Sequence, residues 1–140
     1  MSTPTTRTSA ANEFDAAGHA RCRLLLVEDH LPTRDMLVRL LASEYDVAVA
    51  QCYDSGLAAA EAKPPQIVVT DVGLPGGRDG ITLMRELKRR HDIPGIAVTG
   101  YVFDDTRLLK DAGFVAWLRK PIKFDDLLQA IHAACGVASV

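Results

Sequence analysis

Ile67-Val68-Val69-Thr70-Asp71-Val72-Gly73-Leu74-Pro75 is the stretch that decides the fold. Its branched apolar run does not alternate with polar residues, as expected of a strand buried on both faces. The run ends in an acid, followed by Gly and Pro. Four similar runs flank it: Leu24-Leu25-Leu26-Val27, Val47-Ala48-Val49-Ala50, Ile96-Ala97-Val98 and Val115-Ala116-Trp117-Leu118. Helical patterns lie between them. Met36, Leu37, Leu40 and Leu41 share a face, as do Leu83, Met84 and Leu87, then Leu108, Leu109 and Ala112, then Leu127, Leu128, Ile131 and Ala134. The Ala-rich stretch Leu57 to Ala62 supplies a further helix before Pro64-Pro65. Asp54, Asp79, Asp104 and Asp125 read as N-caps, and Gly113 as a helix end. Five strands alternating with five helices imply an α/β fold with a doubly wound parallel sheet, (βα)5, for which the flavodoxin-like strand order 2-1-3-4-5 is the natural candidate.

The chain has 140 residues, 48% apolar and 24% charged, with net charge −2. These values fit one globular domain, able to bury roughly two thirds of its unfolded surface. They give no broad basic field for nucleic acid or an anionic membrane, and no apolar run approaches a membrane span. Residues 1–21, rich in Ser, Thr and Ala, read as a disordered tail, and 22–140 as the domain. No signal-peptide core is present, so a cytoplasmic protein is expected. Cys22, Cys52 and Cys135 are far apart in sequence and read as reduced, mostly buried thiols. His30, His91 and His132 read as solvated or helix-end residues, and Lys88-Arg89-Arg90 as a solvated helix end.

In an open α/β sheet, ligands bind beyond the carboxyl ends of the strands. Glu28-Asp29 follows the first run, Asp71 ends the third, Thr99 ends the fourth, and Lys120-Pro121 follows the fifth. Nothing acidic follows the second, as expected of an edge strand. Three carboxylates, a hydroxyl and an ammonium should therefore converge. Carboxylates about 4 Å apart repel by roughly 4 kcal/mol per pair at an effective dielectric near 20. Such a cluster calls for a cation or for a raised pKa on one acid, and an all-oxygen site suits Mg²⁺. An acid after a single strand is usually a cap or turn former. The joint placement of the whole set is what points to function.

These residues resemble the receiver domain of two-component response regulators. The matches are Glu28-Asp29, the segment Val68 to Pro75 around Asp71, Thr99, and Lys120-Pro121, within residues 24 to about 134. The resemblance implies that Asp71 takes a phosphoryl group from a phosphohistidine, an instance of carboxylate nucleophilic catalysis. It implies Mg²⁺ held by Asp29, Asp71 and the Gly73 carbonyl, with Glu28 acting through a metal-bound water. Lys120 and Thr99 would contact phosphoryl oxygens. The Lys120-Pro121 bond is similar to one that is cis in this family. Thr99 and Trp117 would form the switch pair, with Gly100 making room for the larger indole. Gly73 and Tyr101 resemble the two sites that modulate dephosphorylation.

The same resemblance implies a signalling domain rather than an enzyme acting on other substrates. Its expected partners are a histidine kinase or histidine phosphotransfer domain, docking near the first helix and the loop after Pro121. A downstream target or a second copy would use the face of helix four, strand five and helix five. Direct contact with nucleic acid or membrane is not expected. No output domain is read after residue 135, so a free-standing receiver or the receiver of a hybrid histidine kinase is expected. Gly95 to Tyr101 resembles hybrid-kinase receivers, while the N-terminal Met and unpatterned tail favour the free-standing form.

The loop from Val72 to Gly80 reads one residue longer than the commonest receiver loop and is expected to be mobile. A haloacid-dehalogenase-type hydrolase would carry an acid where Gly73 stands. A flavin carrier would have a Ser/Thr/Gly-rich loop in place of the acidic residues 28–34. A receiver working without phosphorylation would not need the full acidic set.

Overall fold

The computed structural model describes residues 21–101 and 106–135. The tail reading for 1–20 and the cap reading for Asp104 lie outside the described residues. Ten elements alternate in chain order: β1 (Cys22–Val27), α1 (Leu31–Leu41), β2 (Tyr45–Ala50), α2 (Tyr53–Ala62), β3 (Ile67–Asp71), α3 (Gly80–His91), β4 (Gly95–Thr99), α4 (Arg107–Ala112), β5 (Phe114–Arg119) and α5 (Phe124–Cys135). All strand pairings are parallel, in the order β2-β1-β3-β4-β5. The fold is the flavodoxin-like α/β sandwich expected from the sequence.

Strand side chains alternate between two apolar layers. Leu25, Val27, Val68 and Ala97 meet α2, α3 and α4 through Ala60, Leu83, Met84, Leu87 and Leu109. Leu24, Leu26, Ile67, Val69, Ile96 and Val98 meet α1 and α5 through Leu37, Leu41, Leu127 and Ile131. At about 25 cal/mol per Å² of buried apolar surface, these two layers are the main force holding the sheet between its helices. Asp79 caps α3 by accepting from the Thr82 amide at 2.8 Å. Gly113 ends α4 at φ 113°, a backbone conformation that favours glycine.

Several local expectations are corrected. The α2 cap position belongs to Cys52, whose amide donates to Ser55 Oγ at 3.1 Å, and Asp54 lies in the first turn. Asp125 lies inside α5, which starts at Phe124. On α1 only Leu37 and Leu41 are buried, while Met36 and Leu40 face outward. Leu108 is likewise exposed. β5 is not buried on both faces: it is the last strand in the sheet order, and among the described residues nothing covers Val115 and Trp117, which are exposed.

Candidate functional site at the carboxyl edge of the sheet

Each acidic residue owes its position to the strand before it. β1 delivers Glu28 and Asp29, and β3 ends on Asp71. One carboxylate oxygen from each of the three lies within 4.8 Å of the others. Glu28 is buried at 2% exposure, Asp71 is at 9%, and Asp29 is open to solvent. Lys120 follows β5, its amide donating to the Thr99 carbonyl at 2.8 Å. Its Nζ reaches Asp71 Oδ2 at 2.8 Å and Glu28 Oε1 at 3.7 Å. The Lys120-Pro121 peptide bond is cis.

Backbone groups complete the pocket. The His30 amide donates to Glu28 Oε2 at 3.1 Å, and the Gly73 amide to Asp71 Oδ1 at 3.3 Å. Burial, then repulsion from Asp71 and Asp29, pushes the Glu28 carboxyl above its ordinary range, against the His30 amide and Lys120, which favour the charged form. Burial alone would lower Lys120, but its hydrogen bond to Asp71 and the charges of Asp71 and Glu28 outweigh that and raise it. Three carboxylates face one ammonium. The donor set is all oxygen, so the site fits a hard divalent cation.

Thr99 ends β4, is buried, and accepts from the Tyr101 amide at 3.0 Å. Trp117 pairs in register with Ala97, two residues before Thr99, so the indole and the hydroxyl share one sheet face. Trp117 is 38% exposed and is not a core residue. A Cβ at Gly100 would meet nothing within 4 Å, and the same holds at Gly73. Tyr101 is largely exposed.

Residues 24–132 match the response regulator receiver domain. The chain belongs to this family. The receiver fold is shared with a CheY-like receiver domain from Methanospirillum hungatei, at TM-score 0.78 and 28% identity over 84% of this chain and 95% of that one. The chain is 32% identical over 120 residues to an uncharacterised 14.6 kDa protein of Leptolyngbya boryana, covering 83% of this chain and 92% of that protein. It is also 32% identical over 123 residues to the transcriptional regulatory protein PdtaR of Mycobacterium tuberculosis, covering 86% of this chain but only 60% of PdtaR. Receivers are signalling domains of two-component systems, where they meet histidine kinases and effector domains. No helix among the described residues is long and apolar enough to cross a membrane.

Sequence reasoning missed two supports of the receiver pocket. Arg34 on α1 donates to the Glu28 carbonyl at 3.2 Å and holds the acidic pair from behind. Gly80 abuts the acceptor strand so closely that a Cβ would fall 2.1 Å from the Asp71 carbonyl oxygen. An Asp-Gly pair was visible in sequence, but nothing local says what the glycine touches. The Gly-rich loop is tethered through Arg78, which pairs with Asp54 at 2.7 Å and lies 3.9 Å over the Tyr53 ring. His91 and His132 pair with Glu61 and Glu44, partners distant in sequence. The Lys88-Arg89-Arg90 run is engaged by Asp92, Glu86 and Glu61.

Proposed function

We propose that this receiver accepts a phosphoryl group from a phosphohistidine onto Asp71, with Mg²⁺ as cofactor, and changes its partner-binding surface in response. The observation that carries the reading is the Lys120 ammonium, 2.8 Å from Asp71, inside a group of three carboxylates whose oxygens lie within 4.8 Å. Glu28, Asp29, Asp71 and the Gly73 carbonyl would hold the ion. When bound, it supplies the positive charge that lets anionic carboxylate and phosphoryl group approach.

The chain's own residues do the rest. Asp71 Oδ attacks the phosphorus in line as the P–N bond to the donor histidine breaks. Lys120 stays protonated, as its raised pKa requires, and takes a phosphoryl oxygen in place of part of its bond to Asp71. The Thr99 hydroxyl leaves the Tyr101 amide and donates to another oxygen. Trp117, on the same sheet face, follows Thr99 inward, into space that Gly100 leaves open. Gly73 and Tyr101 flank the route of the hydrolytic water and set the phosphate lifetime.

The donor would be a histidine kinase or a histidine phosphotransfer domain. Docking beside α1 and beside the loop after Pro121 is expected, and a groove along α1, lined by Leu31, Pro32, Met36 and Leu40 together with Asp35 and Arg39, supports the first of these. The face of α4, β5 and α5 would serve a downstream protein or a second copy. A cytoplasmic setting is consistent with this role. Domain limits of 22–140 are proposed on the same grounds.

Acetyl phosphate with Mg²⁺, followed by intact mass measurement, tests the reading. Wild type should gain one phosphoryl group and Asp71→Asn none. Equal labelling of the two chains overturns the assignment. Trp117 fluorescence should change on adding Mg²⁺ with beryllium fluoride, and a constant signal removes Trp117 from the switch.

A further inference from the structure

Cys22 and Cys135 stand 113 positions apart in the chain, yet their Sγ atoms lie 3.2 Å apart. Cys22 opens β1 and Cys135 closes α5, so the pair joins the amino-terminal edge of the sheet to the last turn of the final helix. Both are half-buried. Cys52 stands elsewhere, before α2, with its Sγ against Ser55 Oγ at 3.3 Å.

The surroundings of the pair are as specific as its spacing. Tyr45 is the register partner of Cys22. It is 2% exposed, and its hydroxyl is buried without a hydrogen-bond partner. Its ring stands 6.0 Å from that of His132, whose Nε2 pairs with Glu44 at 3.1 Å. Burial first, then the charges of Cys135, Glu44 and Cys22, drive the phenol pKa upward, so the hydroxyl keeps its proton. On the strand beside Cys22, the Tyr45 hydroxyl is a buried O–H donor without an acceptor. The thiols themselves are unequal. The hydrogen bond from Cys135, helped by the charge of Arg23, lowers Cys22 against the effect of burial, while the same hydrogen bond and burial raise Cys135.

We propose that Cys22 and Cys135 form a reversible intramolecular disulfide, a modification site at the end of the sheet opposite Asp71, with hydrogen peroxide as the oxidant. The Cys22 thiolate attacks one peroxide oxygen. The O–O bond breaks, Cys22 becomes a sulfenic acid, and the leaving hydroxide takes a proton to become water. Cys135, losing its proton, then attacks the Cys22 sulfur and displaces hydroxide, which leaves as a second water. Two thiols are oxidised by two electrons and one peroxide is reduced. The sulfurs must close by about 1 Å to reach bonding distance, and the last residue of a helix is where the backbone yields most readily. The bond would close a loop spanning most of the domain and tie α5 to β1.

The test uses the full chain, reduced and freed of reductant, then exposed to hydrogen peroxide and labelled with N-ethylmaleimide after denaturation. The expected product carries one maleimide, on Cys52, and three after dithiothreitol, one for each cysteine of the chain. Peptide mapping should return a Cys22–Cys135 cross-link. The oxidised form should melt about 10 °C above the reduced one. Three maleimides after peroxide, a bridge to Cys52 or to a second chain, or over-oxidation without a cross-link each overturn the proposal. Zinc found on the pair by native mass spectrometry does so as well. In Cys135→Ser, a sulfenic acid on Cys22 should persist and react with dimedone. Absence of that adduct removes Cys22 as the attacking thiol.

Discussion

The two ends of β1 carry opposite chemistry. At its carboxyl end Glu28 and Asp29 join Asp71 and Lys120 in a charged pocket. At its amino end Cys22 meets Cys135 beside a buried phenol. A strand of this length separates the two poles by about 20 Å. At the charged pole three carboxylates outnumber one ammonium, so its oxygen donors suit a divalent cation. At the sulfur pole two sulfur atoms stand in contact, and the proposed disulfide would join them. On these two proposals, one sheet would hold two sites that answer to different inputs.

Glycines make the largest expected difference between the poles. Gly80→Ala places a Cβ against the backbone of the acceptor strand, 2.1 Å from the Asp71 carbonyl oxygen, and backbone has nowhere to move. It should cost about 3 kcal/mol in urea unfolding and reduce labelling of Asp71. Gly95→Ala, at the amino end of β4, meets Met84 Sδ at 2.0 Å. A thioether can rotate, so about 1.5 kcal/mol is expected, with labelling intact. Equal losses from the two variants would remove the contrast.

Acid titration sharpens it next. An acid whose pKa is higher folded than unfolded keeps its proton longer in the folded state. Without divalent ions, the Glu28 contribution to stability should therefore fall as pH rises from the ordinary carboxylate value of 4.5 through the raised one, then level off. Glu28→Gln should flatten this slope and add about 1 kcal/mol near pH 7 in EDTA, because one ammonium then faces two carboxylates rather than three. It should also shrink the rise in melting temperature on adding Mg²⁺. Lys120 works in the same direction at the other extreme. Its contribution is complete below its ordinary value of 10.5 and is lost as pH passes the raised one. A Glu28→Gln profile parallel to wild type contradicts the account.

The smallest effect lies at the sulfur pole. Tyr45→Phe removes a buried hydroxyl that has no partner and should stabilise the reduced protein by about 1 kcal/mol. Destabilisation would mean that the hydroxyl is paired.

The charged pole was legible in the sequence and the sulfur pole was not, for a physical reason. Glu28, Asp29, Asp71, Thr99 and Lys120 each follow an apolar run, and parallel topology carries all strand ends to one edge, so local order predicts spatial convergence. Cys22 and Cys135 meet through the packing of α5 on the sheet, which no short-range pattern encodes. The central strands read correctly because both their faces are covered. β5 did not, since its run is as apolar as theirs while Val115 and Trp117 face outward. On α1, Met36 and Leu40 matched the helical period but fell about a quarter turn from the buried Leu37–Leu41 line. Arg34 and Gly80 act on backbone atoms that only coordinates reveal.

The most direct test of the central claim is peptide-level localisation of the phosphoryl group after incubation with a phosphorylated histidine kinase or phosphotransfer domain, in Mg²⁺ and in EDTA. The account predicts one modified peptide, containing Asp71, in Mg²⁺ and almost none in EDTA. A phosphoryl group on another residue, or undiminished transfer to Asp71 in EDTA, would contradict it.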